Sequence, residues 1–198
     1  MTRRFIPAAF VAARIALVGS ALFAVAATGA NAAAPNSATS AANSSITAVF
    51  KQMNVPVQGH FTRFNADVHF DPANLAAASA KIDVDVASFD IGSPEYNDEV
   101  AGDEWFDAKQ FPHATFVSSH ITAGQGGAYS AAGTLTIRGK STDVVVPVQY
   151  RKDGANQVFD GTLPIKRLTY GIGTGEWKDT SVVADEVQLK FHIVTAAH

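Results

Sequence analysis

The sequence predicts an all-β fold of about eight antiparallel strands, closed as a barrel or stacked as a sandwich, and three observations predict it. From Ile46 onward apolar residues recur at every second position, the period of a strand with one wet and one dry face, while helical periodicity is scarce. Short polar or glycine-bearing segments separate these runs at hairpin spacing. The stretch that carries the pattern, residues 44–198, has the length of one domain with one core.

The chain opens differently. Arg3, Arg4 and Arg14 precede or begin an uncharged apolar stretch, residues 15–27, which is shorter than the roughly 20 residues of a membrane span. Ala30 and Ala32 then supply an A-x-A cleavage pattern. Residues 1–32 therefore read as a secretory signal peptide, with a second cut after Ala34 nearly as good, and residues 33–43 as a flexible lead-in. The mature protein is expected in the periplasm. Loss of the three leader arginines takes the net charge from −3 to −6, and an acidic surface argues against nucleic acid as partner. The chain has no cysteine, which excludes both a disulfide framework and a lipid anchor on cysteine, so stability must come from core packing.

Within the domain, Phe64, Ala66, Val68 and Phe70 face one way against Arg63, Asn65, Asp67 and His69, and Asp71-Pro72 ends that run. Ile82, Val84 and Val86 alternate with Lys81, Asp83 and Asp85. The later strands carry Leu135 and Ile137, then Val144, Val146, Val148 and Tyr150, then Phe159, Leu163 and Ile165, and finally Val187, Leu189, Phe191 and Ile193. Gly124-Gln125-Gly126-Gly127, Arg138-Gly139-Lys140-Ser141 and Lys152-Asp153-Gly154 supply turn chemistry between them. One segment departs from alternation. Ser93 as N-cap, Pro94 at the first helical position and Glu95 in the first turn predict a short helix over about 94–102. It leads into residues 103–112, a loop whose Trp105, Phe106 and Phe111 must pack on something, such as the open end of a barrel, where exposed aromatics would also reach a bilayer.

In that loop the sequence resembles a known family. Trp105-Phe106-Asp107-Ala108 followed by Phe111-Pro112-His113-Ala114-Thr115-Phe116 is similar to the signature of YceI-like proteins, as are Gly133-Thr134-Leu135-Thr136-Ile137-Arg138-Gly139, Lys166-Arg167-Leu168-Thr169-Tyr170-Gly171-Ile172 and Val183-Ala184-Asp185-Glu186-Val187. Four blocks in order cover roughly residues 46–194. The resemblance implies a lipocalin-like barrel that carries an isoprenoid lipid or prenylated quinone without covalent attachment. Many members place an aspartate and a His-Ser pair before the first strand. Here Asn43-Ser44-Ser45-Ile46 stands there, so any ligand contact made by that histidine is absent.

The residues themselves are consistent with an apolar ligand, since the chain is rich in phenylalanine, thirteen in all, a side chain that can line a dry tunnel without polar atoms to satisfy. A core filled by side chains fits the alternation equally well. On the open-tunnel reading the lining comprises Phe50, Phe64, Val68, Phe70, Ile82 and Val84 from the first half. Trp105, Phe106, Phe111, Phe116, Leu135 and Ile137 follow, then Val146, Phe159, Leu163, Leu189 and Phe191. Arg138, Lys140, Lys166 and Arg167 are candidate partners of a polar head group such as a pyrophosphate or quinone. The charged hairpin tip at Arg138 and Lys140 also reads as a solvated turn, and Arg167 as the structural partner of a buried acid such as Asp185.

Other chemistry finds little support. Gly171, Gly173 and Gly175 are followed by Glu176-Trp177 rather than a helix start, so they read as a bend and not a phosphate loop. His60, His69, His113, His120, His192 and His198 are scattered without metal-ligand spacing, so no metal is expected. Ser118 and Ser119 lie near His120, but neighbours on a strand point to opposite faces, so Ser119 and His120 are not expected to meet. The expected function is binding or carriage of a long-chain polyisoprenoid, without catalysis. The alternatives are a filled-core module that docks on a membrane redox protein such as a b-type cytochrome, or a hydrolase of a small lipid.

Overall fold

The computed structural model of the chain describes residues 43–196. The expected signal peptide and most of the expected lead-in lie outside the described residues. Ten strands and one helix follow in order: β1 (Ser45–Gln52), β2 (Val55–Phe61), β3 (Phe64–His69), β4 (Ser79–Asp85), β5 (Phe89–Asp90), α1 (Pro94–Ala101), β6 (His113–Ala123), β7 (Ala128–Ile137), β8 (Lys140–Asp153), β9 (Asn156–Lys166) and β10 (Glu186–Ala196). They form one antiparallel sheet in the order β3-β4-β6-β7-β8-β9-β10-β1-β2-β5. From β6 to β10 each strand pairs with its successor in the chain, and β1 then pairs with β10 through Ser45↔His192 to Val49↔Gln188.

The strand count exceeds the expected eight because one hairpin is bent. β2 runs into β3 across Thr62-Arg63, and β4 runs into β5 across a 3-10 turn at Val86–Ser88. Phe64↔Val84 pairs below the bend and Phe61↔Phe89 above it. The strands at the two ends of the sheet order thus belong to one kinked hairpin, which curls the sheet on itself. Ser88, 4% exposed, stitches the kink: its hydroxyl donates to the Asp85 carbonyl (2.7 Å) and accepts from the Arg63 N–H (3.0 Å). Arg63 in turn reaches the Asp85 carboxylate at 2.7 Å.

The turns follow the residues. Arg138-Gly139 joins β7 to β8 with both φ angles positive (49° and 69°), the two-residue geometry whose twist matches the strands it joins. Met53-Asn54 joins β1 to β2 in the same way, φ 48° and 67°, without a glycine. Helix α1 ends one residue earlier than expected, with Gly102 as its C-cap. Ser93 precedes it but makes no side-chain cap bond. The tether is instead Asn97, which accepts from the Ile91 N–H (2.9 Å) and donates to the Asp90 carboxylate (3.0 Å). Hydrogen bonds from Asn97 and the Gly92 N–H hold the Asp90 carboxyl below its ordinary pKa.

Candidate functional site: an apolar lumen

Alternation sends every second side chain to the inside of the curled sheet. Those side chains do not meet in the middle. They enclose a cavity of about 220 Å³, far above the ~10–15 Å³ that admits one water. The wall includes Ile46, Ala48 and Phe50 of β1, Leu135 and Ile137 of β7, Leu163 and Ile165 of β9, and Val187, Leu189, Phe191 and Ile193 of β10. Thr115, Tyr129, Arg167 and Lys190 are its polar residues among the described residues.

The expected lining residues Val68, Phe70, Ile82, Val84, Trp105, Phe106, Phe116, Val146 and Phe159 also border this space. Phe64 and Phe111 do not. Phe64 follows directly on the kink and packs on the core from outside the cavity wall. Phe111 lies against the bare Cα of Gly139, where a Cβ would stand 2.8 Å from its ring. Several wall residues escaped the sequence reading. Phe61 and Phe89 sit at the kink, Val100 on the helix, and Ile172 and Val183 in the long β9–β10 connection, none of them on a run of clean alternation. Ile46 and Ala48 share the inner register of Phe50, a signal that alternation already carried.

The two ends of the lumen differ. At one, the loop bearing Trp105 is tied down. Trp105 packs on Trp177 (ring centroids 5.4 Å apart) and Phe106 on Phe61 and Phe89 (5.9 Å each). The Arg138 guanidinium donates to the carbonyls of Gly171 and Asp103, and the Thr174 N–H to that of Glu104 at 2.8 Å. Trp105 and Phe106 border the lumen and are half-buried, so the loop lies as a cover across this end.

Arg167 anchors the chain beneath that cover. It is 2% exposed, and its Nε and Nη groups donate to the carbonyls of Ala184 (3.0 Å), Ile172 (2.9 Å), Gly173 (3.0 Å), Trp177 (2.6 Å) and Val183 (2.7 Å). Its five N–H groups are thereby matched by five main-chain carbonyls. Gly173 carries φ 72°, and a Cβ there would overlap the guanidinium. Burial pulls the Arg167 pKa down and nearby Asp185 works against it. Asp185 itself accepts from the Leu168 N–H (3.0 Å). Of the four expected head-group residues, Arg167 and Arg138 are thus committed to main-chain carbonyls, and Lys140 and Lys166 are exposed at the adjoining strand ends.

At the other end stands an aromatic cluster. Phe70, just past β3, packs on Tyr129 (5.0 Å), Tyr150 (4.8 Å) and Phe159 (5.4 Å). Its carbonyl accepts from the side chain of buried Gln157 at 3.0 Å. On the outside of the sheet, a β-bulge between Ser118 and His120 overturns the strict-alternation argument, since Ser119 Oγ meets His120 Nδ1 at 3.1 Å. The Ser119 hydroxyl also donates to the Ala132 carbonyl. His192 and His69, expected on wet faces, meet Asp160 (2.6 Å) and Asp67 (3.2 Å) there.

The family model described as the YceI-like domain matches residues 38–195. The chain is 58% identical to Burkholderia cenocepacia BcnA, whose crystal structure matches with a TM-score of 0.77 over 79% of this chain and 98% of that one. A UPF0312 protein of Vibrio cholerae is 27% identical over 141 residues, 67% of this chain and 75% of that protein. A polyisoprenoid-binding domain from Saccharophagus degradans shares the fold at 16% identity, with a TM-score of 0.64 over 81% of this chain and 98% of that one.

Proposed function

From the premise that the chain belongs to the YceI-like domain family, we propose that it binds and carries a long-chain polyisoprenoid or prenylated quinone inside the lumen, in the periplasm. The almost wholly apolar cavity carries this reading. A space of that size, walled by Leu, Ile, Val and Phe, has almost no polar group to hold water, and an apolar chain gains about 0.8 kcal/mol for each CH₂ that it buries. Ordering the chain offsets part of that gain. The inner face of β7 from Tyr129 to Ile137 extends about 27 Å along the strand at ~3.4 Å per residue, room for several isoprene units. The signal-peptide pattern of residues 1–32 supports export. Support for an isoprenoid in particular comes from the four sequence blocks and from the polyisoprenoid-binding relative.

The cavity weighs against a filled-core docking module. Hydrolysis has little to work with, because the Ser119–His120 contact lies on the outer surface and its serine hydroxyl points at a carbonyl. Lys140 and Lys166 are the basic residues available to a head group at the Trp105 end. Native mass spectrometry of protein purified from a bacterial periplasm, followed by organic extraction, is the test. We expect one prenyl lipid per chain. Protein that is repeatedly empty and takes up no added prenol overturns the reading.

A further inference from the structure

Phe191 stands midway along the inner face of β10, with Val187 and Leu189 towards the Trp105 end and Ile193 towards the Phe70 end. Its partners across the ladder are Ile46 of β1 and Gly161 of β9. An inward ring of this size ordinarily stands beside its partner's side chain. Here there is none. A Cβ placed on Gly161 would overlap Cζ of Phe191 and lie 2.6 Å from Cε1, so the ring occupies the volume that a side chain at 161 would take. The same arrangement recurs at Gly59, where a Cβ would lie 2.8 Å from two ring carbons of Phe89. Both rings belong to the lumen wall. Each lies over bare backbone.

We propose that Phe191, seated on Gly161, sets the bore of the lumen at mid-height and with it the longest prenyl chain that the protein accepts. This rests on the lipid-binding reading above. A chain confined to either half of the lumen never meets the ring, whereas a chain that runs from the Trp105 end to the Phe70 end passes its face. Lifting the ring off its seat therefore shortens the accepted ligand without abolishing binding, an effect that general loosening of the barrel does not produce.

The test compares geraniol, geranylgeraniol and a long all-trans polyprenol, each delivered from detergent micelles and measured as bound complex by native mass spectrometry. Gly161→Ala is the direct variant, but its Cβ also overlaps the Pro147 carbonyl, so the decisive pair keeps the glycine. Phe191→Trp is expected to lower the affinity ratio of the long polyprenol over geraniol by about tenfold, equivalent to about 1.4 kcal/mol. Phe191→Ala is expected to raise that ratio, and it reads the same bore if the Trp variant does not fold. An unchanged ratio in the folded variants overturns the proposal while leaving lipid binding intact. Failure of the unmodified protein to bind any of the three probes overturns the lipid-binding reading, and this proposal with it.

Discussion

All five N–H groups of Arg167 reach main-chain carbonyls, so its charge fastens the β9–β10 connection instead of waiting for a ligand. Lysine has three donors and no planar fork. Arg167→Lys is therefore expected to leave at least two buried carbonyls unpaired and to cost about 2–4 kcal/mol, read as a lower urea midpoint with an unchanged slope. Were Arg167 a head-group contact, the same change would weaken lipid binding at unaltered stability. The sequence marks Arg167 as special through its neighbours Tyr170, Gly171 and Ile172. It does not disclose the role, because the carbonyls of Ile172, Gly173, Trp177, Val183 and Ala184 belong to an irregular connection, and a main-chain acceptor leaves no trace in residue identity. Phe191 is the converse case. Its inward register follows from alternation, but its seat on Gly161 requires knowing which residue pairs with it across the ladder.

Among the elements, hairpins were legible where glycine marks them, as at Gly124 to Gly127 and at Arg138-Gly139. Met53-Asn54 was not, since asparagine alone is a weak signal and methionine none. A left-handed non-glycine residue costs roughly 1–2 kcal/mol, and asparagine bears that conformation better than methionine. Met53 is 75% exposed, so Met53→Asn is expected to raise stability by about 0.5–1 kcal/mol, read as a higher melting temperature. A fall would mean that the thioether has packing that its exposure does not suggest. The kink between β2 and β3 was hidden for a different reason. Phe64 reads only as the start of an alternating run, and the bend before it depends on Ser88, a residue 24 positions beyond Phe64 whose hydroxyl bridges two backbone groups. The bulge at Ser118–His120 likewise obeys pairing geometry rather than composition, and this is why Ser119 and His120 meet.

At the scale of the whole molecule, sheet type and inner register were legible because a period of two is written in the residues, while hollow and filled interiors share that period. What separates them here is the cavity itself, with the rings of Phe89 and Phe191 lying over Gly59 and Gly161. A hollow barrel forgoes the packing of a filled core, so an occupant should restore stability. A saturating prenol at about a hundredfold over its dissociation constant is expected to add roughly 2.7 kcal/mol, seen as a melting temperature that climbs with ligand concentration; a flat response would argue for a closed, inert cavity. The pairing of β1 with β10 has a consequence of another kind. Most ladders join neighbours in the chain, but the Ser44 hydroxyl accepts from the Val194 N–H across 150 residues. Loop closure over such a span is slow, because its entropy is lost before any contact rewards it. β1 therefore waits for β10, and the wall stays unsealed until the meander from β6 to β10 is complete.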